Sequence, residues 1–187
     1  MSERLSRTKV VASAADLADQ IGFSELTITR LGRHLGISPP GVYRHVADLD
    51  DLRSEISRVA SQGAAAVLST ACAGLAGASA LTAIANALRQ WAGEHPGRYA
   101  ALQVAPDPSD AQAQEAAGQV LVVIESALRA YDLAGDDLTD AIRFVRSALH
   151  GFISLEHGGG FKQPRSLDAT FQRVIAGLDG ALTHWAS

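Results

Sequence analysis

The sequence has little cysteine and few aromatic residues. One cysteine, Cys72, cannot form a disulfide within the chain, which excludes a small secreted scaffold held together by disulfides. The first ten residues, MSERLSRTKV, are charged rather than apolar, so we expect no secretory signal and a cytoplasmic protein. Aromatic residues make up only 5% of the chain, and alanine is abundant while β-branched runs are scarce, which favours helices over strands.

Charge is absent between Gly63 and Leu88. This stretch is long enough to cross a bilayer, but Ala, Gly, Ser and Thr dominate it and large aliphatic residues are few. Gly74 and Gly77 also interrupt it. We therefore interpret the stretch as two helices of a soluble protein that meet at a glycine-rich bend, and expect no membrane partner.

Charge is also unevenly distributed along the chain, whose net charge is −4. Residues 1–47 hold six Lys or Arg against four acidic residues, and the rest holds ten against sixteen. An acidic body argues against a protein that coats nucleic acid with its whole surface, whereas the N-terminal part could face an anion.

Apolar residues recur at helical spacing through most of the chain, which predicts an all-α fold of about nine helices with no convincing strand. The last two predicted helices, near 136–157 and 166–185, are apolar around more of their circumference than one core needs. Such helices are often buried on two sides, so we expect a second copy of the chain there, the alternative being a thick monomeric core. The residues expected at this homodimer interface are Phe144, Ile153, Phe171, Ile175, Leu178 and Leu182.

Residues 27–46, TITRLGRHLGISPPGVYRHV, have the pattern of a helix-turn-helix. Thr27 is a candidate N-cap for the first helix, Gly36 ends it, and Ser38 opens a second, short helix. Val42 and Val46 would face inward. The residues left facing outward are Pro39, Pro40, Tyr43, Arg44 and His45. Exposed Tyr and Arg side chains can donate to phosphates and base edges in the major groove of DNA; the alternative is a helical hairpin packed into a larger bundle.

The span from Gln20 to Ile56 resembles the DNA-binding domain of the TetR (tetracycline-repressor-like) family of transcription regulators. The resemblance rests on GFSELT, LGRHLGIS, VYRHV and the following LDDL, at the family's spacing. Residues 149–161, LHGFISLEHGGGF, resemble one recurring subclass of TetR-type C-terminal domains. The resemblance implies an all-helical homodimer that binds a palindromic DNA operator, by default as a repressor, and is released by a small-molecule effector.

The resemblance further implies a three-helix DNA-binding domain over residues 1–48 and an effector-binding and dimerisation domain over residues 49–187. It assigns DNA contacts to Thr27, Thr29, Arg30, Ser38, Pro39, Pro40, Tyr43, Arg44 and His45. Two positions depart from the family pattern. Gly41 stands where many members have Thr, and Leu49 stands where many have Lys, so a hydroxyl contact and a phosphate contact are missing and we expect modest DNA affinity.

The effector is expected in a cavity among the fourth to eighth helices. The candidate effector-binding residues are Leu68, Trp91, Tyr99, Leu102, Val123, Arg146 and His150. Arg146 and His150 share one helix face and would suit an acidic ligand, although a dimer contact or a salt bridge is equally open to them. The ligand would tilt the fourth helix and so change the separation of the two recognition helices, which must be about 34–36 Å to enter successive major grooves.

Two other classes of function remain open at this point. A helical-bundle enzyme could use His150, Glu156 and His157, but their spacing is not that of a HExxH zinc motif, and we expect no catalytic set, metal ion or cofactor. A ligand-binding scaffold whose DNA-binding unit has decayed would explain Gly41 and Leu49. A regulator binds DNA in a salt-sensitive way, and an enzyme does not.

Overall fold

The computed structural model describes residues 5–185, and every regular element in that range is helical. Nine α-helices are present there, and α7 continues into a single 3₁₀ turn, Arg129–Tyr131. Their bounds are α1 Arg7–Ile21, α2 Ile28–Leu35, α3 Pro39–Val42, α4 Leu49–Cys72, α5 Gly77–Glu94, α6 Pro96–Leu102, α7 Ala111–Leu128, α8 Gly135–His157 and α9 Leu167–Thr183. The predicted all-α fold of about nine helices is confirmed.

Side-chain caps in the sequence set several helix starts. The Thr27 hydroxyl accepts a hydrogen bond from the Arg30 backbone N–H at 3.2 Å, and the Ser166 hydroxyl accepts one from Ala169 N–H at 3.2 Å. Each cap satisfies a backbone donor that has no partner inside the helix. The sequence therefore fixes the first residue of α2 and α9 locally.

The uncharged stretch folds into two helices separated by a bend. α4 ends at Cys72 and α5 begins at Gly77, and Gly74 between them has φ +72°, in the left-handed region that favours glycine. Within residues 5–185, no helix combines the length and apolar content that a membrane span requires.

The chain divides into two compact units. Unit 1 comprises the described residues up to Ala64 together with Glu94–Gln119, and unit 2 comprises Ala65–Gly93 together with the described residues from Val120 onwards. The helices α4 and α7 therefore each contribute to both units. This division into compact units does not test the functional domain boundary predicted between residues 48 and 49, which stays a prediction.

Unit 1 is built on α1, which packs against α2 and α6. α6 approaches α1 so closely that a Cβ on Gly97 would lie 2.2 Å from the Ala18 carbonyl carbon and oxygen. Polar contacts fix the same junction, since Asp19 accepts hydrogen bonds from the Arg98 backbone N–H at 2.8 Å and from the Arg98 guanidinium. Asp16 forms a further ion pair with Arg98 at 2.5 Å.

Unit 2 holds a hydrophobic core to which α5, α8 and α9 contribute. Phe152 and Phe171 pack with ring centroids 4.8 Å apart, and the Arg89 guanidinium lies 4.9 Å from the Phe171 ring centroid. Arg89 also forms ion pairs with Glu156 at 2.5 Å and with Asp168 at 2.8 Å. These bonds join α5 to α8 and α9.

Burial changes the interpretation of the expected dimer residues. Five of the six lie in the core of the protomer and are at most 3% exposed: Ile153, Phe171, Ile175, Leu178 and Leu182. A side chain that its own chain already covers cannot be covered again by a partner. Phe144, 39% exposed, is the one member of the set on the surface. The wide apolar circumference of α9 thus reflects burial within the protomer.

Candidate nucleic-acid interface

α2 and α3 form a tight helix-turn-helix. The Ile37 backbone N–H donates to the Gly32 carbonyl at 2.9 Å, which folds the turn back onto α2. A Cβ on Gly32 would lie 2.9 Å from the Ile37 carbonyl oxygen, closer than side chains tolerate. Gly36 ends α2 with φ +69°, the left-handed conformation typical of a helix C-cap. The angle between the two helices therefore depends on two glycines.

α3 is shorter than expected. It spans only Pro39–Val42, with proline at its first positions, and its preceding residue Ser38 makes no side-chain capping bond. Tyr43, Arg44 and His45, which we expected on the recognition helix, lie in the turn that follows it. The Val46 N–H still donates to the Val42 carbonyl at 3.3 Å, so this turn continues from the end of the helix.

The inward and outward faces agree with the spacing argument. Val42 and Val46 are buried, at 0% and 2% exposed, and Tyr43 is 52% exposed. Arg44 is also exposed and His45 is half-buried. The other residues expected to contact DNA are exposed or half-buried too: Thr27, Thr29, Arg30, Ser38, Pro39 and Pro40. All nine are therefore accessible to some degree in unit 1.

Two of these nine residues already have partners within the protein. The Thr27 hydroxyl caps α2, as described above. The Arg30 guanidinium donates to the Glu25 carbonyl at 2.7 Å and to the Glu25 carboxylate at 2.8 Å. Arg30 would therefore bring less positive charge to a phosphate than an unpaired arginine does.

Arg7 is a residue whose role the spacing did not reveal. It begins α1, and its guanidinium donates to the His45 carbonyl at 2.8 Å, to Asp51 at 2.7 and 3.0 Å and to Glu55 at 3.2 Å. Asp51 also accepts a bond from the Ala47 N–H at 2.7 Å. This network ties the turn after α3 to α1 and to the start of α4.

The network keeps its charges at neutral pH. Hydrogen bonds from Arg7 lower the pKa of Asp51, and hydrogen bonds to Asp51 and Glu55 raise the pKa of Arg7. Because the partners of Arg7 lie 38 to 48 residues away in sequence, no local motif could have revealed it.

Two further arginines are available to an anion. Arg33 and Arg44 are exposed, and neither makes an ion pair or side-chain hydrogen bond with another residue in the described part of the chain. Arg33, in the last turn of α2, was not among the residues assigned to DNA. The sequence shows Arg33 only as a cation at the C-terminal end of a helix. The helix dipole favours a cation there whether or not it binds DNA, so this position does not by itself indicate a DNA contact.

Comparison with known proteins decides the family. The model of the tetracycline-repressor-like C-terminal domain matches residues 81–178. The uncharacterized HTH-type transcriptional regulator Rv0681 of Mycobacterium tuberculosis is 35% identical over 190 residues, which cover 97% of this chain and 85% of that protein. The chain belongs to the TetR family. It is a TetR-like transcriptional regulator, as expected, and its relatives are regulators rather than enzymes.

Solved structures agree with this family and fold. The structure of BioQ with its natural double-stranded DNA operator is 26% identical to this TetR family chain, with a TM-score of 0.63, covering 94% of this chain and 99% of that one. The structure of TetR-Q116A from Acinetobacter baumannii AYE in complex with minocycline has a TM-score of 0.69 at 16% identity, covering 98% and 99%. The latter likeness shows the fold alone.

The expected effector residues of this TetR family regulator are divided between the two units. Leu68, Trp91, Val123, Arg146 and His150 belong to unit 2, whereas Tyr99 and Leu102 belong to unit 1. Leu68, Trp91 and Tyr99 are buried, Leu102 and Val123 are half-buried, and Arg146 and His150 are exposed on α8. His150 approaches the Ser154 hydroxyl at 3.3 Å.

Glu156, one residue of the rival enzyme hypothesis, has a structural role in the TetR family chain. Glu156 is held by two hydrogen bonds from Arg89, at 2.7 and 2.5 Å, and these bonds lower its pKa. An ionised, ion-paired carboxylate is a poor general acid. Within residues 5–185, no three His, Cys, Asp or Glu side chains are grouped so that they could hold a metal ion.

Proposed function

We propose that this TetR family regulator is a cytoplasmic repressor that binds a palindromic operator as a homodimer and is released by a small-molecule effector. The observation that carries the proposal is the exposed turn of Tyr43 and Arg44, held in place by buried Val42 and Val46. A helix-turn-helix needs this combination of a fixed inner face and a polar outer face to enter a major groove.

Features of α8 and α9 support the homodimer. Phe144 and Leu155 on α8 are 39% and 52% exposed, which leaves large apolar side chains facing outward. Gly151 on α8 and Gly177 and Gly180 on α9 lie inside helices, and a Cβ on any of them would meet nothing within 4 Å. Glycine weakens a helix, so its presence where the protomer leaves open space fits the close approach of a partner helix.

We propose the effector site from the chemistry of its residues. Arg146 and His150, exposed and four residues apart on α8, would suit an acidic ligand. α4 contributes to both units, so a change in its tilt is a direct route by which a ligand would alter DNA binding. Such a ligand acts only through its difference in affinity between the two states.

DNA binding is tested by fluorescence anisotropy with labelled duplexes from the region next to the protein's own gene. We expect nanomolar to micromolar binding that weakens as salt rises. Tyr43→Ala should lower operator affinity by about tenfold while leaving the fold intact. Arg44→Ala should reduce both the affinity and the slope of log affinity against log salt, by about one phosphate contact.

Arg165→Ala is the matched control, because Arg165 is an exposed arginine in the loop before α9. It removes the same charge from unit 2, and operator affinity should change by less than about twofold. Equal effects of Arg44→Ala and Arg165→Ala would mean that net charge alone drives binding. Wild-type affinity of Tyr43→Ala would refute the assignment of the turn after α3 to DNA.

A further inference from the structure

Unit 1 contains a cleft of about 800 Å³ that none of the seven expected effector residues lines. One wall is the first half of α4, and the other is the segment 104–110 with the start of α7. Phe23 and Ser24, which precede α2, also line it. A volume of this size is typical of a small-molecule site.

The α4 wall presents a row of hydroxyl groups. Ser54, Ser57 and Ser61 follow one another at helical spacing and all line the cleft. Ser54 donates to Asp110 at 3.2 Å and Ser57 donates to the Arg53 carbonyl at 3.0 Å. Ser61 is 7% exposed, yet its hydroxyl makes no hydrogen bond with any residue in the described part of the chain. The Ser61 hydroxyl is open to the cleft and can bond a polar group there. The fully buried side-chain atom without a hydrogen-bond partner among the described residues is Arg53 Nε, on the same wall.

The cleft also carries an excess of negative charge. Five aspartates line it against two arginines, Arg53 and Arg58. Arg58 forms an ion pair at 2.7 Å with Glu55, a residue that does not line the cleft. Three of the aspartates form no ion pair with any described residue: Asp48, Asp107 and Asp110. Hydrogen bonds from Ser109 lower the pKa of Asp107, so this carboxylate is ionised at neutral pH.

The opposite wall carries apolar side chains beside Asp107, Ser109 and Asp110, and this combination selects the kind of ligand. The apolar side chains are Val104, Pro106, Ala113 and Ala117, and Val104 is 52% exposed. A bare metal ion does not fit, because no group of three ligating side chains is present among residues 5–185. The cleft combines serine hydroxyls, aspartates without an ion-pair partner among the described residues and an aliphatic surface. Asp110 also accepts hydrogen bonds from the Gln112 and Ala113 backbone N–H groups.

We propose that this cleft binds a small organic cation, an alkyl amine or polyamine whose ammonium groups meet Asp107 and Asp110 and whose carbon chain lies along Val104 and Ala117. Ser61 supplies a hydroxyl to its inner end. The site is separate from the effector site proposed above.

Ligand binding in the cleft would also change the affinity of the protein for DNA. The cleft is lined by Ser24, four residues before α2, and by Asp48 and Asp50 at the start of α4, so it adjoins both flanks of the helix-turn-helix. This consequence rests on the proposed DNA-binding function. The binding itself does not.

Three probes with the same six-carbon chain test the charge requirement: hexamethylenediamine, hexanediol and adipate. Each is titrated into the full-length protein by calorimetry and by amide NMR. We expect the diamine to bind at least about tenfold more tightly than hexanediol, with shifts at Ser54, Ser61 and Asp110, and adipate not to bind. Equal binding of hexanediol or adipate, no binding of the diamine, or shifts confined to unit 2 would overturn the proposal.

Asp107→Asn combined with Asp110→Asn should weaken diamine binding by about tenfold, because asparagine keeps the local capping bonds but removes both charges. The matched control is Asp136→Asn with Asp137→Asn, which removes two aspartates from the first turn of α8 and should leave the affinity within about twofold. Ser61→Ala tests the inner end separately and should weaken binding by about threefold. Unchanged affinity in both cleft variants would refute the site.

The effect on DNA is measured as the difference between wild type and the Asp107/Asp110 variant, because the diamine itself binds DNA phosphates. We expect the diamine to change operator affinity by at least about threefold more in the wild type than in the variant. A chain that binds the diamine but no DNA would refute the proposed function and leave the cleft assignment standing. A chain that binds DNA but not the diamine would refute the cleft assignment and leave the proposed function standing.

Discussion

Arg7 stabilises the turn that carries Tyr43 through contacts with residues distant in sequence. α3 has only four residues, and a helix of that length is not stable by itself. The Arg7 guanidinium binds the His45 carbonyl at the end of the turn and the carboxylates of Asp51 and Glu55 on α4. Arg7 is thus a positioning residue for the proposed DNA contact.

Arg7→Ala should lower the free energy of unfolding by about 1 kcal/mol, because Arg7 is partly exposed and its ion pairs are screened by solvent. It should also lower operator affinity by about tenfold, because the His45 carbonyl loses its only side-chain donor among the described residues. Urea unfolding and anisotropy measure the two effects. Arg143→Ala, which breaks the exposed pair with Asp140, is the control and should change neither. Equal effects of the two variants would contradict the positioning role.

The Arg89–Glu156 pair predicts a pH dependence. Arg89 lowers the pKa of Glu156 in the folded protein, so Glu156 stabilises the fold above its unfolded pKa of about 4.3, and this contribution is lost as pH falls through the lower folded value. The difference in unfolding free energy between wild type and Glu156→Gln should be constant from about pH 5.5 to 7 and shrink below about pH 4. Urea unfolding across this range measures it. A difference that grows on acidification would contradict the sign.

Among the elements, helices bounded by local signals were predictable, and the end of α3 was not. The spacing of apolar residues, the Thr27 cap and the glycine-rich bend after Cys72 all depend on neighbours in sequence, so the sequence alone reveals them. The end of α3 at Val42 is different. The proline pair starts that helix, but its end depends on how α1 and α4 hold the following turn.

The functional surfaces show the same limit. The side chains facing outward after α3 were predictable, because Val42 and Val46 mark the inner face by spacing. The burial of Phe171 and Leu182 inside the protomer, rather than at an interface, was not predictable. Hydrophobicity alone does not say whether a side chain is covered by its own chain or by a partner. The acidic cleft was missed because it joins α4 to residues about 50 positions later.

The contact between α1 and α6 gives a prediction at the scale of helices. Gly97→Ala would bring a Cβ to 2.2 Å from the Ala18 backbone, so α6 must move away from α1 or the variant must unfold more easily. We expect a loss of about 2 kcal/mol in unfolding free energy, measured by urea unfolding. Gly118→Ala on α7 is the control, because its Cβ would meet nothing within 4 Å, and it should be neutral or stabilising. Equal stability of the two variants would contradict the close packing.

At the scale of the whole molecule, the proposed homodimer requires two copies of the chain to hold two helix-turn-helix units at a fixed separation. A monomer presents one turn to DNA and loses the second half-site, so dimerisation and operator affinity are linked. The open space beside Gly177 and Gly180 on α9 offers a way to break the dimer without disturbing the core. A change in the buried Phe171, by contrast, would unfold the protomer and could not separate the two effects.

Gly177→Leu should therefore produce a folded monomer. The Cβ of the new side chain would meet nothing within 4 Å in the protomer, and the leucine would occupy the surface proposed for the partner helix. We expect light scattering to show a dimer for wild type and a monomer for Gly177→Leu at the same concentration, with equal helical content by circular dichroism. Gly118→Leu, also in open space, is the control and should remain dimeric. A Gly177→Leu dimer as stable as wild type would remove this face of α9 from the interface, and a monomeric wild type would refute the homodimer itself.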